Sequence, residues 1–468
     1  MNTEKKIRPF GARDKFGYLF GDFGNDFTFI LSTMILMKFY TDVMGVSAAV
    51  VGTIMMIARF VDAFTDVTMG RICDRSKTTK AGKFKPWILR MCGPVAIASF
   101  LMYQSAFANM SMTFKIGYLF VTYILWGSIF YTSINIPYGS MASAISSDPG
   151  DRQSLSTFRT MGGTLAGMVI GVLLPILAYE NNILVGSKVT IVAGLFSVLA
   201  IGAYLLCYFM VTERVRPEVT EDEFKKNSVG KMLLNAVNNR ALLSIIVASI
   251  VMLLAQLTMQ NMAAYVFPDY YQNATAQSAS TLTMMVGMFV AAGVSKPLAK
   301  KFGKAEVSIV SNLFAAVVCF ILFIVRPQNV WIYIAFQTLC WLGLGIFSMV
   351  SWALITDVID YSEIKNGIRE DGSVYALYSF ARKLGQAVAA GLSGWLLTWI
   401  GYDTELAAQA IRQSKDVLEG VFNVSTLVPA VGFLLLALVL WFWYPLHKKQ
   451  VDANVAILKE KHGETVEE

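Results

Sequence analysis

The sequence predicts an all-α membrane protein of about twelve spanning helices in two six-helix bundles, with both termini cytoplasmic. Three observations carry that prediction. The 468 residues are 55% hydrophobic and 15% charged, with a mean hydropathy of +0.54, whereas a soluble domain carries about 25% charged residues. Apolar runs of about 20 residues, the length that crosses a bilayer at about 1.5 Å per residue, recur along the whole chain. Lys and Arg gather in alternate loops and at both ends, the distribution that marks cytoplasmic segments. The formal charge of +7 is thereby read as orientation in a lipid bilayer, and no nucleic-acid partner is expected.

The first six runs lie at roughly 16–41, 47–71, 85–107, 114–145, 154–180 and 188–212. The stretch before them, MNTEKKIRPFGARDK, has no apolar core with a cleavage site and is not read as a signal peptide. Run one holds Asp22 and Asp26 four residues apart. Asp26 is the deeper, a candidate ligand for a polar solute, while Asp22 is equally readable as interfacial. Run two holds Asp62 and Asp66, which share a helix face at this spacing, with Thr65 between them and Arg59 one turn earlier. A charged residue at the bilayer centre costs roughly 2.5–3.5 kcal/mol, so Asp26, Asp62 and Asp66 together cost on the order of 8–10 kcal/mol unless they meet protein, water or an ion. Two stacked carboxylates also repel, and a monovalent cation or proton between them relieves that repulsion. The competing reading is a structural Arg59–Asp62 salt bridge.

Run four, like run ten, is too long for one span and is expected to break or to extend into the cytoplasm. It contains YTSINIPYGS, where Thr132 and Asn135 share a face and Pro137 removes a backbone donor. Freed backbone groups are tolerated where they line a cavity; a plain proline kink explains the motif equally well. Run five opens on Arg159.

The polar stretch 213–239 is read as a central cytoplasmic loop between bundles at 1–212 and 240–445, with a tail at 446–468. Its basic residues include Lys225, Lys226 and Lys231. The second set of runs lies at roughly 240–267, 277–299, 305–326, 329–358, 373–401 and 418–445. A basic loop after the second run has a counterpart after the eighth, the weak symmetry that parallel repeats leave. Run eleven places Arg382 and Lys383 about ten residues from its start, where snorkelling to the interface is strained. Aromatic side chains able to stack on a sugar face are Trp126, Tyr138, Trp352, Tyr375 and Tyr378, though packing is the commoner use of such residues. The five cysteines lie singly, without metal spacing. Both histidines, His447 and His462, fall in the tail, so any titrating group inside the membrane is expected to be a carboxylate.

The stretches FGDFGNDF, FYTDVMG, ARFVDAFTDVTMG, RSKTTKAGKFKPWIL, TYILWG with NIPYGS, DVIDYSE and GSVYALYSFARKLGQA together resemble the glycoside–pentoside–hexuronide:cation symporters, a branch of the major facilitator superfamily. The resemblance runs from the first helix to the eleventh. It implies a cation site at Asp62 and Asp66 with Thr132 as a further oxygen ligand, Thr65 within the site and Arg59 beside it. It also implies sugar contacts at Asp26, Arg159 and Lys383. Asn135 and Gly139 depart from the melibiose carrier, which has an aspartate and an aromatic residue there. That argues against an α-galactoside, and Thr65 in place of an asparagine puts sodium preference in question.

The expected function is therefore cation-coupled symport of a glycoside, pentoside or hexuronide by alternating access, in the cell membrane. The substrate-side residues are Asp26, Asn135, Arg159, Lys383, Tyr138, Trp352 and Arg382; the cation-side residues are Asp62, Asp66, Thr132, Thr65 and Arg59. Neither a cofactor beyond the coupling ion (Na⁺, H⁺ or Li⁺) nor enzyme chemistry is expected. The alternatives are a cation-independent sugar exchanger, a carrier of a lipid-like solute, or a sensor that binds a glycoside without moving it.

Overall fold

A computed structural model describes residues 8–215, 239–366 and 371–462. The central-loop lysines Lys225, Lys226 and Lys231 lie outside the described residues. In order, the helices are α1 (Ala12–Asp42), α2 (Ala48–Arg75), α3 (Lys85–Leu101), α4 (Met112–Ile124), α5 (Thr132–Ile145), α6 (Pro149–Ala178) and α7 (Gly186–Met210). They continue with α8 (Arg240–Tyr265), α9 (Ala276–Phe302), α10 (Lys304–Val325), α11 (Val330–Asn366), α12 (Asp371–Trp399), α13 (Thr404–Ala408), α14 (Lys415–Leu438) and α15 (Lys448–His462). A two-residue ribbon, β1 (Tyr179–Glu180) with β2 (Ile183–Leu184), joins α6 to α7. Each predicted run coincides with helix. Among the described residues ten helices are long and apolar enough to cross a membrane, and α1 and α12, which carry Asp22, Asp26, Arg382 and Lys383, fall outside that set.

Runs four and ten do not break: Met112–Ile145 is one continuous helical span and α11 runs unbroken from Val330 to Asn366. Between α4 and α5 the backbone opens into a π-turn at Leu125–Tyr131, a local widening that recurs at functional sites. Helix starts follow capping chemistry: the Asp148 carboxylate accepts the Asp151 N–H at 2.8 Å with Pro149 at the first helical position, where its missing donor is harmless.

The chain divides into two compact units. One comprises the described residues up to 215 together with Leu397–Gln413; the other comprises those from 239 to Leu396 and from Ser414 onward. Within the first unit α1 packs on α6 and α7, α2 on the α4–α5 segment, and α3 on α7. Within the second α8 packs on α14, α9 on α11, and α10 on α11 and α14. Counting spans within each half, first-with-sixth, second-with-fourth and third-with-sixth contacts recur, so the two halves share one packing scheme.

Large apolar side chains lie on the outside, including Phe64 at 75%, Ile191 at 70% and Trp399 at 81% exposure. A surface of that kind suits hydrocarbon rather than water. Polar hubs sit inside. Asp14, fully buried, takes the guanidinium groups of Arg8 at 2.7 Å and Arg214 at 2.9 Å plus the Thr212 N–H at 3.0 Å. Lys38, only 1% exposed, pairs with Asp42 at 2.6 Å and donates to the Tyr402 hydroxyl at 3.1 Å. In the second unit Lys304 pairs with Asp357 at 2.5 Å. All five cysteines are buried and free.

Candidate functional site

Two pairs of helices in the first unit bring charge to their interfaces by the same device. Asp62 and Asp66 are four residues apart on α2. Facing them are Ser128 in the π-turn and Thr132 at the start of α5, also four residues apart. The Ser128 hydroxyl donates to Asp62 at 2.5 Å and the Thr132 hydroxyl to Asp66 at 2.9 Å. Because α2 and this span run in the same direction, the two spacings stay in register, with 66 residues of sequence between partners in both pairs. Gly127 lies against the same carboxylate: a Cβ there would stand 3.5 Å from Asp62 Oδ1. Thr132 Oγ1 is also 3.2 Å from the Gly127 carbonyl.

Arg59 approaches Asp62 at 3.6 Å, too long for a good hydrogen bond, and its guanidinium lies 4.7 Å from the centre of the Phe29 ring. The structural salt bridge weighed from the sequence is thus present but loose. Thr65 turns its hydroxyl to the Asp62 carbonyl of its own helix at 3.2 Å. Asp62, Asp66, Ser128 and Thr132 place carboxylate and hydroxyl oxygens together, a donor set of the type hard cations take.

The second device joins α1 to α6. Arg159 Nε donates to Asp22 Oδ1 at 3.0 Å, and its guanidinium lies over the Tyr138 ring at 5.2 Å. One turn on, Asp26 faces Gly163. A Cβ at Gly163 would stand 2.4 Å from Asp26 Oδ2 and 3.0 Å from Asp22 Oδ2, so the bare glycine is what lets both carboxylates lie against α6. Tyr138 backs this group and does not face it. Its ring is buried and stacked on Tyr18 at 4.6 Å, and its hydroxyl donates to the Tyr18 carbonyl at 2.6 Å. Asn135 accepts from Asn25 at 3.2 Å, and the Tyr204 hydroxyl donates to Asn25 at 2.8 Å. The two devices meet through aromatics: Phe29, one turn beyond Asp26, stacks on Tyr131 at 5.7 Å and carries Arg59 on its other contact.

Trp126 is wholly buried between Tyr123 and Tyr131, so it packs and does not offer a free face. In the second unit Trp352 and Tyr378 meet edge to face at 5.1 Å, and Arg382 lies 5.8 Å from each ring. Lys383 is exposed beside it.

The sequence reading did not single out Ser128 and left Asp22 open. The available signal for Ser128 was its spacing: a hydroxyl four residues before Thr132 copies the interval between the carboxylates. Asn25, a polar residue inside an apolar run, carried a comparable signal.

Residues 17–448 match the family model described as MFS/sugar transport protein. The chain is 30% identical over 442 residues to the glucuronide carrier protein homolog of Escherichia coli, covering 93% of this chain and 92% of that protein. It is 31% identical over 465 residues to the isoprimeverose transporter of Lactiplantibacillus pentosus, covering 98% and 93%. In fold it is similar to a bacterial homologue of the iron transporter ferroportin in an inward-facing state, with a TM-score of 0.65, 13% identity and coverage of 94% of this chain and 100% of that one. With helices suited to a membrane, a family model over nearly its whole length and the motifs of the glycoside–pentoside–hexuronide carriers, the chain belongs to the MFS/sugar transport protein family and is a multi-pass membrane transporter, not an enzyme.

Proposed function

We propose that the protein carries a sugar together with a monovalent cation, in symport, by alternating access. The observation that carries this reading is the registered set Asp62–Ser128 and Asp66–Thr132 on α2 and the span facing it. A structural helix gains nothing from two stacked carboxylates, and a small cation visiting them offsets both their repulsion and their desolvation. The coupling ion is Na⁺, Li⁺ or H⁺. Asp26, Arg159 and Asn135 serve the sugar in this unit, with Lys383, Arg382 and Trp352 as the second unit's candidates. Relatives named as glucuronide and isoprimeverose carriers support a glycoside as cargo. The two six-helix halves are the rocking bodies of an alternating-access cycle. By the distribution of Lys and Arg, both termini face the cytoplasm of a cell membrane.

In the mechanism, an ion bound at Asp62 and Asp66 draws Asp62 away from Arg59. Arg59 then keeps only its contact with Phe29, whose helix also carries Asp26. Sugar affinity rises with ion occupancy, and linkage requires the ion's affinity to rise equally when sugar is bound. The rival reading, cation-independent exchange, draws on Arg59, which already offsets part of the charge on Asp62. The deciding experiment is uptake of labelled pentosides, hexosides and hexuronides into proteoliposomes, with and without imposed Na⁺ and H⁺ gradients. Accumulation that follows one gradient and is lost in Asp62→Asn supports symport; equal uptake under every gradient supports exchange.

A further inference from the structure

We infer that Tyr204 and Asn25 are positioning residues that fix which end of the Asn135 amide meets the sugar, so that Asn135 serves it as a hydrogen-bond donor; this rests on the sugar-carrier reading of the same site. The three side chains come from three helices of the first unit: Tyr204 from α7, Asn25 from α1 and Asn135 from α5. Tyr204 and Asn25 are buried, and Asn135 is partly exposed. The Tyr204 hydroxyl donates to Asn25 Oδ1 at 2.8 Å, and Asn25 Nδ2 donates to Asn135 Oδ1 at 3.2 Å. Gly24 makes room for the first of these bonds. A Cβ there would stand 3.1 Å from the Tyr204 ring and 3.2 Å from the Ala200 carbonyl, so the bare backbone lets α7 come close.

An amide side chain has two ends of similar size, a carbonyl that accepts and a nitrogen that donates. An unrestrained Asn135 offers either end to a ligand. Here the Tyr204 proton is turned to the Asn25 oxygen, which leaves the Asn25 nitrogen for Asn135 and holds the Asn135 oxygen toward α1. Asp22 favours the same order. It lies three residues from Asn25 on one face of α1, and a carboxylate takes the donor end of an amide. The end of Asn135 turned away from α1 is therefore its nitrogen, with two hydrogens to give. A glycoside oxygen, whether of a ring, a hydroxyl or a carboxylate, meets them by accepting. Without the Tyr204 hydroxyl, Asn25 keeps a buried carbonyl with no donor, which is penalised, and the reversed order of both amides becomes competitive.

The test uses the full-length protein as wild type, Tyr204→Phe, Asn135→Ala and the double variant. Calorimetric binding of methyl β-xyloside and of methyl β-glucuronide to the purified protein is measured in parallel with their counterflow in proteoliposomes. Ion affinity without sugar and the melting temperature are the controls. Tyr204→Phe should weaken sugar binding by about threefold to tenfold, the weight of one net hydrogen bond, with ion affinity unmoved. In the Asn135→Ala background the same change should have no further effect on sugar binding, because a residue that acts through another loses its influence once that other is gone. Asn135→Asp keeps an oxygen for Asn25 but removes the donor, so it should weaken sugar binding at least as much as Asn135→Ala. Asn25→Leu breaks the chain at its middle if Tyr204→Phe does not fold. Equal losses from Tyr204→Phe with and without Asn135 overturn the inference while leaving sugar transport in place. So does an Asn135→Asp protein that binds sugar as well as the wild type. A wild type that moves and binds neither sugar removes the underlying reading as well.

Discussion

Ser128 and Thr132, four residues apart, each bring a hydroxyl to one of the two carboxylates of α2. A hydrogen bond to a charged group contributes about 1.5–3 kcal/mol. Ser128→Ala should therefore weaken apparent affinity for the coupling ion by about tenfold or more, since 1.4 kcal/mol is about tenfold. Titration of ion-stimulated uptake checks this, and sugar binding measured without the ion should move little. At the other pair the limiting contact is steric. Gly163→Ala puts a methyl group where Asp26 Oδ2 lies 2.4 Å away, so sugar affinity should fall several-fold. Overpacking elsewhere costs about 1–3 kcal/mol, which makes the melting temperature the control. A large thermal loss with unaltered sugar affinity would show that Gly163 serves helix packing alone.

Elements explain why the two groups can be linked. On α1, Asp26 and Phe29 are one turn apart; on α2, Arg59 and Asp62 are likewise one turn apart; and the Arg59–Phe29 and Phe29–Tyr131 contacts join them. Coupling between sites is commonly worth about 1–3 kcal/mol. Phe29→Ala should leave ion binding and sugar binding each measurable while reducing the ion's stimulation of sugar affinity toward onefold. Isothermal binding of sugar at zero and saturating ion reads this directly, and undiminished stimulation would mean that the coupling runs by another route. The π-turn matters at the same scale, because it carries Gly127 and Ser128 at the face that Asp62 meets.

Across the whole molecule, the polar hubs tie together segments that are far apart in sequence. Asp14 holds Arg8 from the N-terminal stretch and Arg214 from the end of the sixth span, with 200 residues between Asp14 and Arg214. Removing one member of a buried ion pair costs about 3–5 kcal/mol because the remaining charges stay buried unpaired. Asp14→Ala should therefore lower the thermal stability of the purified protein markedly, whereas Asp416→Ala, at a helix end outside these hubs, should not. Differential scanning fluorimetry of the two variants side by side makes the comparison.

By itself the sequence determined the helices, their approximate ends and the faces on which Asp62 and Asp66 lie. These are local matters: backbone bonds within a span close over four residues, hydrocarbon leaves the backbone no other partner, and a spacing of four fixes a common face. The family was legible for a related reason, since its motifs are contiguous stretches of the chain. Only the tertiary structure decided the partners. Ser128 is separated from Asp62 by 66 residues, Arg159 from Asp22 by 137 and Tyr402 from Lys38 by 364. No periodicity in the chain encodes which helix lies beside which, because that follows from the packing of side chains between helices already formed.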